Sequence, residues 1–247
     1  MWLKMAVLGI CLSAWLASCT SPGKIAPVQD LWNKPMSTLR MHVAQKGDTL
    51  YSVAWRYGKD YRDLAYINDL KPPYTIVAGQ RLQLSPRKLV TETTTRLQPT
   101  ISKNTQEVTQ TTIPMLEQEP HIAPPSAWQW PALGKIINRF AVNNGGNKGI
   151  EIAGIAGNAI WATAAGKVVY AGNGLRGYGN LLIVKHNEEF LSAYAHNSKL
   201  LVKEGELVKA GQVIAEMGDT EAQQVMLHFE IRKAGKPVDP LQYLPRR

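Results

Sequence analysis

The pattern of apolar and polar positions divides the chain into stretches with different periods. Met5–Leu16 (MAVLGICLSAWL) is a continuous apolar run, shorter than the ~20 residues that span a bilayer and of the length of a signal-peptide core. Residues 20–40 mix Pro, Ser, Lys and Gln without a period and read as a spacer. From residue 41 the pattern tightens. Met41-His42-Val43-Ala44 predicts a short strand, and Gly47-Asp48-Thr49-Leu50 a turn into a helix that Asp48 or Thr49 can cap. Leu50, Val53, Ala54 and Tyr57 recur at spacings of three and four, the apolar stripe of one short helix. A second helix is predicted over Tyr61–Asn68, burying Leu64, Ala65 and Ile67. Lys71-Pro72-Pro73 then breaks the chain, and Val77–Leu84 predicts a closing strand.

Residues 86–126 lose the pattern. Threonines are interleaved with Gln and Pro, with few large apolar groups, and such a stretch buries too little surface to offset the entropy of ordering it. As a coil it spans about 35–40 Å, or more where Pro and β-branched residues stiffen it. In residues 127–247 short β-type runs return: Val168-Val169-Tyr170, Leu181-Leu182-Ile183-Val184 and Val213-Ile214-Ala215, punctuated by glycines. They predict a mostly antiparallel sheet without a long amphipathic helix. Ala165-Gly166-Lys167-Val168-Val169 and Ala210-Gly211-Gln212-Val213-Ile214 echo one another as a turn into a strand. The expected fold class is therefore multidomain, a small α+β module of βααβ order over 41–85 followed by a mostly antiparallel β domain over 127–247.

Composition narrows the chemistry. The 247 residues carry 28 Lys+Arg against 19 Asp+Glu, a formal charge of +9, which favours anionic partners such as nucleic acid, lipid head groups or acidic wall polymers. No zinc-finger, RNP or basic-aromatic pattern is present, so nucleic acid is not an expected partner. Two cysteines exclude a disulfide-stapled scaffold. Leu16-Ala17-Ser18-Cys19 resembles a bacterial lipobox. The resemblance implies a signal peptide over 1–18, lipidation of Cys19, and a spacer over 19–40 above the membrane. Thr20 follows the cysteine in place of the aspartate that often retains such proteins at the inner membrane, which points to the periplasmic face of the outer membrane. An uncleaved N-terminal anchor is the alternative, since no charge lies between Lys4 and Lys24.

The series GDTL, Ile67-Asn68 and AGQRLQL resembles the LysM module, a βααβ fold that binds N-acetylglucosamine-containing glycans in a shallow groove. The resemblance places Gly47, Asp48, Thr49, Leu50, Asn68, Leu70 and Ile76 in the two loops that wall that groove, where amides and short polar groups suit sugar hydroxyls and apolar groups cover a ring face. The competing reading gives GDTL and Asn68 to turns and caps alone.

The stretches Gly149–Ala153, Ala164–Val168, Gly177-Tyr178-Gly179-Asn180, Tyr194-Ala195-His196, Val208–Gln212 and Leu227–Ile231 resemble, in order, the LytM domain of peptidase family M23. Active members hold zinc with HxxxD and with the second His of HxH, while the first His of HxH and a YxH His assist the water and the oxyanion. Those positions here are Asn147 and Glu151, Met226 and His228, and His196. A catalytic zinc needs three good donors and an open water position. This set offers one imidazole and one over-long carboxylate, and a thioether where a base belongs, so neither a metal nor another cofactor nor peptidase activity is expected. His42 is expected to begin a strand, and His121 and His186 to be surface or strand residues.

Lipobox, LysM, Thr-rich linker and degenerate LytM domain together resemble the NlpD-type murein hydrolase activator lipoproteins. This implies a non-enzymatic regulator that binds peptidoglycan glycan strands and switches on a periplasmic N-acetylmuramoyl-L-alanine amidase during septal wall splitting. The groove at Asn147, Glu151, His196, Met226 and His228 would be reused as the amidase-binding surface. Two alternatives stay open: a tether joining outer membrane to peptidoglycan, and an active zinc endopeptidase with an unusual ligand set.

Overall fold

Thr49 starts the first helix by a reciprocal cap. Its hydroxyl accepts from the Ser52 backbone N–H at 3.1 Å, and Ser52 Oγ accepts from the Thr49 N–H at 3.0 Å, an arrangement worth about 1 kcal/mol. The helix runs over α1 (Leu50–Arg56), and Asp60 caps α2 (Tyr61–Ile67) through the Arg62 N–H. Two short strands, β1 (Met41–Val43) and β2 (Arg81–Gln83), pair antiparallel and complete the predicted βααβ order. The closing strand is shorter than Val77–Leu84 predicts, because Gly79 turns the chain at φ +86° and Val77 lies exposed. The computed structural model describes residues 40–86, 127–141 and 146–247. The lipobox with Cys19, the spacer, nearly all of the Thr-rich linker and His121 lie outside the described residues.

The second region is an antiparallel sheet of ten strands. Its main path runs β3 (Ile136–Asn138), β4 (Ile150–Ala153), β11 (Met226–Lys233), β8 (Phe190–Leu200), β7 (Asn180–Lys185), β6 (Gly166–Gly172), β9 (Leu207–Val208). β10 (Val213–Met217) joins β5 (Ala159–Trp161) to β8, and β12 (Lys236–Val238) pairs with the end of β11. The two glycine-led echoes do enter strands, β6 and β10. The only helical turn described after residue 127 is a 3-10 turn, Pro240–Gln242.

Strand alternation gives this sheet two buried faces. Ile150, Ile152, Val168, Leu182, Val184, Tyr194, Leu227, Phe229 and Ile231 point into one core. Val169, Tyr170, Leu181, Ile183, Ala193 and Ala195 point the other way, into a core completed by Leu50, Tyr51, Trp55, Tyr61 and Leu64 of the βααβ module. All described residues belong to one compact unit, Pro35–Arg247. The two pieces that read as separate in sequence thus share a core, since each presents an apolar face that it cannot cover alone.

Candidate functional site

The groove residues gather on the face of the sheet that also carries the βααβ module. His228, in β11, stands opposite Glu151 of β4 on one side and Ala195 of β8 on the other. Met226, His228, Glu230 and Arg232 alternate along β11 and share that face. His196 lies beside them, its ring centroid 6.0 Å from that of His228. Asn147 lies in the turn entering β4, where its Oδ1 accepts from the Gly149 N–H at 3.3 Å. Its buried Nδ2 has no hydrogen-bond partner among the described residues.

His196 is held in an uncommon backbone state, φ +65°, of the kind that persists only where the surroundings enforce it. They do so here. Its N–H donates to the Tyr178 carbonyl at 2.8 Å and its Nδ1 lies 2.8 Å from the Thr220 carbonyl. That carbonyl sits so close to Gly179, itself at φ +59°, that any Cβ there would collide with it. The Gly-Tyr-Gly-Asn stretch thereby positions the histidine. Because a carbonyl only accepts, Nδ1 carries the proton and Nε2 the lone pair. Burial holds His196 below the usual imidazole range, with the neighbouring His228 adding to the effect against the Thr220 carbonyl and Glu221.

Below His228 lies a buried polar chain. Glu230, 0% exposed, accepts from Tyr178 OH at 2.8 Å and from Arg232 Nε at 3.0 Å, and lies 3.1 Å from His228 Nε2. Burial alone would raise the Glu230 pKa, but Arg232, His228 and Tyr178 outweigh it and hold the carboxyl down at about 2. The Tyr178 phenol is pushed up, first by burial and then by the Glu230 charge. The carboxylate fixes the proton on His228 Nε2 and leaves Nδ1 as the donor atom, the orientation that supports a metal-ligating histidine. Sequence reasoning missed Tyr178, Glu230 and Arg232 as members of the site. For Glu230 and Arg232 the signal was the polar residue at every second place of His228-x-Glu230-x-Arg232 inside an otherwise largely apolar strand.

Arg232 extends the chain out of the sheet. Its guanidinium donates to the Trp55 carbonyl at 2.8 Å and stacks 3.6 Å from the centre of the Trp55 ring, a cation–π contact strengthened by burial. Around this pair, Thr49 Oγ1 donates to the Val169 carbonyl at 3.1 Å, Arg56 to the Gly174 carbonyl at 3.0 Å, and Tyr61 OH to Glu188 at 2.6 Å. Lys185 pairs with the same Glu188 at 2.7 Å. Gly235, at φ +75°, lets the β11–β12 turn approach the Lys59 and Asp60 backbone so closely that a Cβ would strike it.

The seven predicted glycan-contact residues divide by use. Asp48 accepts from the Gln45 N–H at 2.9 Å, lies 2.8 Å from His42 Nε2 and 3.3 Å from Arg56 Nη2. Thr49 caps α1, Leu50 is buried in the core, and Asn68 clamps the Leu64 carbonyl and both backbone groups of Gln83. Gly47 is exposed, and Leu70 and Ile76 are half-buried against the module's core. His42 lies in β1 as expected. His186 corrects the sequence reading that put it on the surface or in a strand. It follows β7, is fully buried, and lies 2.8 Å from the Ala165 carbonyl and 2.7 Å from Ser192 Oγ. Burial lowers its pKa to about 4, against the pull of that carbonyl.

Comparisons with known proteins agree with both regions. The LysM domain model matches residues 42–85, and the peptidase family M23 model matches residues 145–240. The chain is 44% identical to a lipoprotein NlpD/LppB homolog of Pseudomonas aeruginosa, over 98% of this chain and 92% of that protein. It is 42% identical to the murein hydrolase activator NlpD of Escherichia coli, over 83% of this chain and 68% of that protein. It is also 43% identical to the lipoprotein YgeR of the same organism, covering 83% of this chain and 81% of the other.

Proposed function

The chain belongs to the NlpD/LppB lipoprotein family, and on that premise we propose that it is a non-catalytic murein hydrolase activator. Its LysM module binds peptidoglycan glycan strands, and its M23 groove docks a periplasmic N-acetylmuramoyl-L-alanine amidase during septal wall splitting. Lipidation at Cys19 holds it at the periplasmic face of the outer membrane. The name of the Escherichia coli relative supports the activator role.

The observation that carries the non-catalytic part is the chemistry of the groove's donor set. Only His228 and Glu151 offer strong donor atoms at the ligand positions, the Asn147 amide is turned to the Gly149 N–H, and Met226 has no proton-accepting atom for a water. Among the described residues no group of three His, Cys, Asp or Glu side chains is placed to hold a metal ion. The residues present therefore do not fit the zinc of the active peptidases, which needs a third donor. Loss of a general base alone removes about 10²–10⁴ in rate.

Metal analysis paired with digestion of purified sacculi tests this. The expected outcome is no stoichiometric zinc, no digestion by the chain alone, and faster digestion when it is added to a co-resident amidase. Bound zinc with cleavage of cross-linked peptide, abolished by His228→Ala, would sink it. The combined Asn147→His, Glu151→Asp and Met226→His variant is expected to gain zinc affinity.

A further inference from the structure

We propose that the LysM module is the groove's own competitor: seated on the groove-bearing face, it excludes the hydrolase partner, and activation requires its release. The inference rests on the activator reading and adds the regulation of that site. Its basis is position. Arg232 lies four residues beyond His228 on one strand, about 13 Å away at ~3.3 Å per residue, and Trp55 of the module is stacked on it. A protein partner of ordinary size covers about 800 Å² of each surface, equivalent to a disc about 30 Å across. Centred on His228, such a footprint runs past Arg232 and onto α1. The partner and the docked module cannot both occupy that ground.

The seam is built to hold and also to let go. It is held by the apolar core the two regions share, by Gly235 against Lys59 and Asp60, by Arg232 on Trp55, and by Tyr61 and Lys185 on Glu188. Around that core the contacts are polar: guanidinium, hydroxyl and carboxylate groups to which water can offer replacement partners, while a partner seated on the opened face covers the apolar part. More than forty residues separate β2 from β3 in the sequence, at ~3.3 Å per extended residue ample to let the module leave the face while staying attached.

The same seam links the two regions chemically. Glu230 contacts His228 at the groove and Arg232 at the seam, so a partner that draws on His228 disturbs the carboxylate that orients the Arg232 guanidinium toward Trp55. Because a closed chain binds the partner only through its open fraction, the apparent affinity falls by that fraction.

The test uses the full chain and two seam variants outside the groove, Gly235→Gln and Glu188→Arg. Small-angle scattering reads opening, and sacculus digestion by a co-resident amidase reads activation. Both variants are expected to raise the radius of gyration and to lower the concentration for half-maximal stimulation, about tenfold for Gly235→Gln if nine-tenths of the wild-type chains are closed. Glu188 is exposed, so its replacement leaves each region folded and the result readable even if Gly235→Gln misfolds. Open variants that stimulate no better than wild type would overturn the competition and leave the activator reading standing. Variants that neither open nor change stimulation would overturn the seam as the restraint. Absence of stimulation by wild type and variants alike would overturn the activator reading itself, and the competition with it.

Discussion

The sheet carries buried polar groups on both faces, from β8 on one and from β11 on the other, and the two faces use them differently. On the inner side, His186, Ser192, Tyr194 and Thr163 satisfy one another. Ser192 Oγ stands 2.7 Å from His186 and 2.9 Å from the Tyr194 hydroxyl, which lies 2.8 Å from Thr163 Oγ1. All four side chains are buried, and the network ends on a backbone carbonyl. On the outer side, Tyr178, Glu230 and Arg232 form a chain with two open ends, His228 at the groove and Trp55 across the seam. A histidine beside a serine is thus no sign of chemistry where the network closes on itself. A network that ends on a partly exposed histidine on one side and on a neighbouring region on the other can couple the two.

The contrast is tested hardest at Arg232. Arg232→Ala strands the Glu230 charge inside the protein and is expected to cost about 3–5 kcal/mol, read as a shift in the urea midpoint. An effect under ~1 kcal/mol would mean that the outer chain is solvated rather than buried. The inner face should fail first in acid. His186 titrates at about 4 when folded against 6.5 for a free imidazole. The unfolded chain therefore binds more protons between those values, and stability present above pH 6.5 is lost as pH falls toward 4, by about 3 kcal/mol. Glu230, at about 2 against 4.5, shifts the same way at lower pH: its contribution is complete above 4.5 and lost as pH falls through 2. Denaturant midpoints across this range should show two successive losses, the first of them flattened in His186→Gln. The smallest effect is expected at Glu188, whose exposed carboxylate joins Tyr61 and Lys185. Glu188→Gln should change stability by less than ~1 kcal/mol.

Much of the fold was legible because its signals are local. The cap at Thr49, the α1 stripe and the alternation of β6, β7 and β11 each lie within one element. Two of the expected groove positions, Glu151 and His228, meet because sheet register places them opposite each other, so part of a linear motif becomes a patch. The seam was not. Trp55, Tyr61, Glu188, Arg232 and Gly235 come from elements far apart in the chain, and each reads as an ordinary member of its own. His186 was misread for a related reason: one of its two partners is a backbone carbonyl, which no residue identity announces.

The stack of Arg232 on Trp55 also makes the seam visible to light. An indole under a guanidinium at 3.6 Å sits in a field and a dryness that it loses on contact with solvent, so the emission colour of Trp55 follows closure. Trp130 stacks on Arg247 at 3.8 Å within the sheet domain and stays put when the module moves. A chain keeping only these two of its seven tryptophans would carry both a reporter of docking and an internal reference.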